Sequence, residues 1–198
     1  MFNSEKRYGI VAMVLHWLIA VAIITLLVVG KYMHGLPNTD PNKFVLYQLH
    51  KSSGLTVLVL SFARIVWRLV NVVPPQPAAM PMWQRWAAGL SHLAFYVLIV
   101  AIPLSGWAVA STSSSGVPTL WFGLFEVPSL PGLPEGEARG DAHELFEEVH
   151  ELLGNLMILL LIVHVGAALK HHFWDRDTVL RRCADSPART PRFLKCIY

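Results

Sequence analysis

Four stretches of the chain are apolar for long enough to read as the same kind of element. A helix needs about 20 mostly apolar residues to cross a bilayer. Tyr8 to Gly30 contains no Lys, Arg, Asp or Glu and reads as the first span. The second runs from Val45 to Val70; its uncharged centre is Ser52 to Ala63, and Arg64 and Arg68 lie near its end. The third runs from Ala87 to Ala110, with Pro103 expected to kink it. The fourth has a clean stretch from Leu152 to Lys170, preceded by an acidic, helix-forming lead from Asp141. Prolines 74, 75, 77 and 81 separate the second and third spans, and a Ser/Gly/Pro-rich segment, Ser111 to Gly140, separates the third and fourth. Both read as loops. The first span starts too near the N-terminus, and runs too long, for a signal peptide, and no small-residue cleavage site precedes Lys31. No solenoid-like repeat is visible. The pattern predicts an all-α integral membrane four-helix bundle.

Composition agrees. The 198 residues are 54% hydrophobic and 15% charged, with mean hydropathy +0.47. A soluble domain carries about 25% charged residues, so too few charges remain to cover a water-facing surface. Disorder, collagen and coiled coil are excluded. The two cysteines, Cys183 and Cys196, supply neither a disulfide framework nor a four-cysteine zinc site, and the absence of Cys-x-x-Cys-His excludes covalent c-type haem. The net charge of +3 is not gathered into a stripe, so no nucleic-acid partner is expected.

Charge distribution predicts sidedness. Twelve of the sixteen basic residues fall in the N-terminal segment, the second–third connection with its adjoining helix end, and the tail; nine of the thirteen acids fall on the other side. By the positive-inside rule both termini are expected in the cytoplasm, where the cysteines would be free thiols. The expected organisation is a transmembrane domain over residues 1–182 and a short basic cytoplasmic tail over 183–198.

Ionisable residues inside a membrane are costly and point to function. There are nine histidines. His16 and His164 lie within the first and fourth spans, each about two turns from the cytoplasmic end; His50 and His150 lie near the outer ends of the second and fourth. His150 and His164 are fourteen residues apart. Fourteen residues turn an α-helix by about 1400°, within about 40° of the same face, and rise about 21 Å. One helix therefore presents two imidazoles in one direction, one per leaflet, which suits two large planar cofactors rather than one metal ion. A haem capped by two imidazoles has no open position for oxygen. Gly54 and Gly154 each follow a histidine by one turn, where a glycine lets a porphyrin approach the backbone; Ala12 and Ala20 flank His16. Small residues there also suit plain helix–helix contact.

The other histidines are weaker candidates. His92, one turn inside the third span, has no obvious partner once His16 and His164 are paired, and suits a structural or quinone-contact role. His143 shares a face with His150 but lies too far out. His171 and His172 sit at the water boundary, and His34 lies in the first outer loop. Arg64, fourteen residues after His50, is placed to meet a propionate of the inner haem, with Arg68 beside it. Lys43 and Lys51 are placed toward the outer haem or an anionic reductant. Trp17, Trp67, Trp83, Trp86, Trp107, Trp121 and Trp174 fit interfacial belts.

These residues resemble a known family. The chain is similar to the bacterial cytochrome b561 family, itself related to the di-haem cytochrome b subunits of formate dehydrogenases and nickel-iron hydrogenases. The matching elements are Leu15-His16-Trp17; His50-x3-Gly54 followed by Arg64; Leu90-Ser91-His92 with Pro103-Leu104-Ser105-Gly106; and His150-Glu-Leu-Leu-Gly154, then His164, then Ala168-Leu169-Lys170-His171-His172-Phe173. The resemblance covers nearly the whole chain, Glu5 to Arg182. The resemblance implies two non-covalent b haems, the outer held by His50 and His150 and the inner by His16 and His164. It implies electron exchange with quinone in the bacterial inner membrane. Some members look like superoxide oxidases that reduce ubiquinone. The expected function is electron transfer between a small periplasmic reductant, superoxide among the candidates, and the quinone pool; quinone is expected to approach the inner haem near His92. The alternatives are a cytochrome subunit relaying electrons for a larger dehydrogenase, which the lack of an extra domain disfavours, and a haem-free metal or proton transporter using the same histidines.

Overall fold

Each apolar stretch forms one long helix in the computed structural model, which describes residue 3 and residues 8–73, 81–134, 136 and 138–173, without the side chains of His171 and His172. Helix α1 is Ile10–Gly35, α2 Pro41–Val70, α3 Met82–Thr112 and α4 Ala138–Phe173. Local chemistry sets their ends. Asp40 Oδ1 accepts from Asn42 N at 2.8 Å and Pro41 occupies the first helical position, which starts α2 sharply. Arg139 closes α3: its guanidinium donates to the carbonyls of Ser111, Thr112 and Ser113 at 3.0–3.1 Å, satisfying acceptors that have no partner within the helix. Helix α3 continues through Pro103. The helices extend past the purely apolar stretches: α1 carries on beyond Lys31 to Gly35, and α4 begins at Ala138, ahead of its acidic lead.

Helices α1, α2, α3 and α4 pack as successive neighbours. The ring closes between α4 and α1, where Leu27 reaches Gly154 and Lys31 Nζ pairs with Glu151 Oε1 at 2.8 Å. The centre is Leu98, Ile99 and Met157, with Ile23, Leu27 and Phe95 packed around them. The bundle is inside out relative to a water-soluble protein. Val14, Leu18, Val21 and Val28 of α1, Val59, Phe62 and Val66 of α2, and Leu159, Ile162 and Val163 of α4 are exposed, while Ser52, Ser61, Ser111 and Thr112 are buried. A continuous apolar exterior of this extent needs lipid around it, and small or polar residues inside are how membrane helices approach one another. All four helices have the length and composition to cross a membrane. The chain is an all-α, multi-pass membrane bundle.

One element departs from the expectation. The Ser111–Gly140 connection is not plain loop: Thr119–Trp121 (β1) and Phe125–Val127 (β2) form an antiparallel hairpin, with Trp121 opposite Phe125. Its turn places Phe122 at φ 49° and Gly123 at φ 75°, the paired left-handed conformation that matches strand twist. Two three-residue strands lack the alternation that announces a strand in sequence, and the hairpin exists because α2 holds it. The Cys183/Cys196 tail lies outside the described residues.

Candidate cofactor site

The bundle holds histidines at two levels. At the level nearer the hairpin, His50 of α2 faces His150 of α4 with ring centroids 6.3 Å apart and planes at 83°. Metal–imidazole bonds run about 2.0–2.1 Å, so this separation leaves room for one ion between the rings. His150 Nδ1 lies 3.1 Å from Ile102 O and 2.9 Å from Ser105 Oγ, which leaves Nε2 free to ligate. A ligating histidine usually donates from its other nitrogen to a carbonyl, which fixes tautomer and ring angle. His50 Nδ1 is buried with no hydrogen-bond partner among the described residues, a nitrogen left for a ligand bond.

A cavity of about 890 Å³ opens from these rings, lined by Gly54, Leu55, Val57, Leu98, Ile99 and Met157 on its apolar side and by Gln48, Lys51 and His143 toward its mouth. That lies within the roughly 300–1,000 Å³ of small-molecule and cofactor pockets. The glycines around it divide into two kinds. A Cβ on Gly54 would meet nothing within 4 Å, and one on Gly154 would meet Leu27 only at 3.9 Å. Neither is required by helix contact as it stands, and both face the cavity. Gly30 and Gly106 sit against the rings: a Cβ on Gly30 would come within a tight 3.2 Å of His50 Cε1, and one on Gly106 within 2.9 Å of His150 Cε1, where the ring would have to shift. Each presses a helix backbone against a histidine ring. Gly30, Ser105 and the Ile102 carbonyl were not assigned a role by sequence reasoning. The Pro103-Leu104-Ser105-Gly106 run is the available signal, and its role becomes visible only when α4 is docked on α3.

At the far level a third histidine joins the two that the spacing singled out. His92 of α3, without a partner in the sequence reading, lies 6.2 Å from His164 by ring centroids, and Phe95 packs edge-on against His164 at 5.0 Å. His16 of α1 stacks edge-on with Trp17 at 5.3 Å and lies within electrostatic range of Arg64, His164 and His92. The His92 residue is exposed on the flank of the bundle, whereas His16 and His164 are half-buried. Arg64 and Arg68 sit over the Tyr96 ring, their guanidinium carbons 6.0 and 5.2 Å from its centroid. Ser61, buried on α2 one turn before Arg64, has a hydroxyl without a hydrogen bond among the described residues. Among the described residues no three His, Cys, Asp or Glu side chains gather closely enough to hold a bare metal ion. The histidines pair, which suits axial ligation of a planar macrocycle.

Lys43 lines the cavity, and its Nζ donates to Leu36 O at 2.6 Å and Asn38 Oδ1 at 2.8 Å, pinning the α1–α2 turn. Lys51 stays beside the cavity, 3.5 Å from Thr119 Oγ1. Trp107 and Trp121 spend their indole N–H groups inside the protein, on Pro128 O and Thr56 Oγ1, both at 3.0 Å. Trp83 and Trp86 remain exposed on α3, as a belt requires.

A membrane bundle that pairs imidazoles around an apolar cavity defines a membrane cytochrome. Comparison with known proteins agrees. The model of the prokaryotic cytochrome b561 family matches residues 7–183. The chain is 34% identical over 181 residues to cytochrome b561 homolog 2 of Escherichia coli K12, covering 91% of this chain and 92% of that one. It is 27% identical to cytochrome b561 homolog 1 of the same organism, over 89% and 96% of the two chains. It is also 27% identical to the probable superoxide oxidase CybB of Yersinia pestis, over 90% and 96%. The chain belongs to the prokaryotic cytochrome b561 family, a family of b-type haem membrane cytochromes of bacteria.

Proposed function

We propose that this cytochrome binds two b haems and passes electrons between a small reductant at the hairpin end and membrane quinone at the other. The observation that carries the reading is the His50–His150 pair at 6.3 Å on a cavity of about 890 Å³, with Gly54 open to it. His16 and His164 are the ligands proposed for the second haem, with Arg64 beside them. When bound, haem supplies reversible one-electron chemistry at an iron closed to oxygen by two imidazoles.

The remaining work falls to the chain. Ile102 O and Ser105 hold the tautomer and angle of His150. Gly30 and Gly106 bring backbone against the two rings and keep them from rotating away. Leu98, Ile99 and Met157 exclude water from the bundle centre. Lys51 places a positive charge near the cavity mouth, where an anionic one-electron donor such as superoxide would arrive. At the other end His92 is exposed and sits against His164, so it would offer a polar contact to the carbonyl of a quinone arriving within the bilayer. The distribution of basic residues supports a periplasmic hairpin end and cytoplasmic termini, and membership of the family supports the bacterial inner membrane. That places donor and quinone at opposite faces.

The test uses the purified full-length protein in liposomes containing ubiquinone. Superoxide generated outside should reduce the haem, and added ubiquinone should reoxidise it. Haem that stays oxidised under a flux of superoxide would remove the donor assignment. Failure of ubiquinone to reoxidise reduced haem would remove the acceptor.

A further inference from the structure

The hairpin descends along α2 in register. Pro118 O accepts from Gln48 Nε2 at 3.1 Å; Thr119 Oγ1 meets Lys51 Nζ at 3.5 Å; Leu120 O accepts from Ser52 Oγ at 2.8 Å; Trp121 Nε1 donates to Thr56 Oγ1 at 3.0 Å. Each step of β1 is matched to a position deeper along α2. The water boundary on the same side is marked by charge. Lys31 and Glu151 pair at 2.8 Å with about half of each side chain exposed. Lys31 follows Gly30, which touches the His50 level, and Glu151 follows His150. Thr56 lies six residues beyond His50, about 9 Å farther along the helix axis toward the bundle centre. The Trp121 indole therefore reaches the apolar side of the Lys31–Glu151 pair, and the backbone on either side of it is held at Ser52, two residues beyond His50.

Its chemistry fits that depth. Residues 121–125 read Trp-Phe-Gly-Leu-Phe, a run whose only side-chain polar group is the Trp121 indole N–H, already bonded to Thr56. Phe122, Leu124 and Phe125 are exposed, Leu124 at 77%. Backbone at membrane depth must find its hydrogen bonds within the protein, since hydrocarbon supplies none. Here two of the turn's amides find them. Leu124 N donates to Trp121 O at 3.0 Å, closing the turn. Ser52 Oγ accepts from Phe122 N at 3.1 Å and donates to Leu120 O at 2.8 Å. Ser52 is itself buried, so this hydroxyl is dedicated to the hairpin and its own helix. A tight three-residue turn, Phe122 to Leu124, held even with a phenylalanine in the left-handed region, adds few polar backbone groups at the deepest point.

We propose that β1–β2 is a re-entrant hairpin whose tip, Phe122 to Phe125, is embedded among lipid acyl chains on the flank of α2. Lipid is the occupant because the tip is apolar on its exposed side, Trp121 reaches past the level of the Lys31–Glu151 pair, and the amides of Phe122 and Leu124 are bonded inside the protein. The hairpin thereby clamps the stretch of α2 that carries His50 at a fixed depth. The proposal does not depend on haem being bound.

The experiment places a nitroxide on the hairpin of the purified full chain, with Cys183→Ser and Cys196→Ser to remove the native thiols, in phospholipid nanodiscs. Leu124→Cys is the reporting position and Phe125→Cys the second, should the first not fold. Val59→Cys, exposed on α2, and Ser114→Cys, exposed before the hairpin, are the references. Saturation of the spin signal is read with oxygen, which concentrates in acyl chains, and with a neutral nickel chelate, which stays in water. The hairpin label should be relaxed several-fold more by oxygen than by nickel, as at Val59, with the opposite order at Ser114. Nickel-dominated relaxation at both hairpin positions would overturn the proposal. Shielding from both relaxants would also overturn it, and would assign the tip to a protein contact such as a second copy.

Discussion

Gly54→Ala separates a haem cradle from ordinary helix packing, because the two readings give it opposite signs. In the protein without haem the new Cβ enters open space: nothing lies within 4 Å. Alanine is favoured over glycine in a helix interior by about 0.8–1.0 kcal/mol, so the fold itself should gain slightly. If a porphyrin lies against Gly54, the same methyl overpacks it, at a cost of about 1–3 kcal/mol. At 1.4 kcal/mol per tenfold, haem should be held roughly 5- to 150-fold more weakly. Gly106→Ala is the contrast. Its Cβ would stand 2.9 Å from His150 Cε1 and 3.3 Å from Nδ1 whether or not haem is present. The ring must move, forfeiting its bonds to Ile102 O and Ser105, worth about 0.5–1.5 kcal/mol each. That variant should lose stability and haem together. The assay has two readouts: haem per chain, with its rate of transfer to an apo-haemoprotein acceptor, and thermal unfolding of the haem-free protein in detergent. A Gly54→Ala protein that retains haem as tightly as the parent would refute the placement of the porphyrin on this glycine. Loss of stability in the haem-free state would return Gly54 to helix packing.

Four further outcomes follow from the same geometry. His150→Ala should remove one haem and spare the other, with His16→Ala removing the complementary one, read as stoichiometry and as the reduced visible bands; full haem content in the His150 variant would break the ligand assignment. His92→Ala should retain haem and reduction by small reductants yet slow reoxidation by ubiquinone in stopped flow; loss of haem instead would make His92 a ligand, as its 6.2 Å approach to His164 permits. Ser52→Ala strips the hairpin of two bonds and leaves Leu120 O and Phe122 N unpaired, which should cost about 1–3 kcal/mol per unsatisfied group; thermal unfolding and protease cleavage within residues 119–127 report it, and an unchanged cleavage rate would show that the serine is dispensable. Alkaline phosphatase fused after Tyr198 should be inactive, because the basic tail is expected in the cytoplasm; activity would invert the sidedness.

How far the chain could be read without its fold is clearest at α4. The spacing of His150 and His164 is a property of one helix, and helical geometry alone converts fourteen residues into two levels on one face. The four apolar stretches are equally local, since the bilayer sets a length and a composition that any single segment must meet. Span count, class and the candidate histidines therefore follow from the chain by itself, and motif similarity reaches the family. Contacts between helices are a different matter. Nothing local says that Gly106 and Ser105 of α3 meet His150, that Gly30 of α1 meets His50, or that His92 faces His164; those depend on how each helix is rotated and raised against its neighbours. The hairpin is the extreme case. Its strands are three residues each, too short to show a period, and its backbone is satisfied by Ser52, nearly seventy residues earlier in the chain. A hydrogen bond of that span becomes available only once α2 is in place, which is why tertiary structure alone decided that Trp121 to Phe125 would fold against the helix that carries His50.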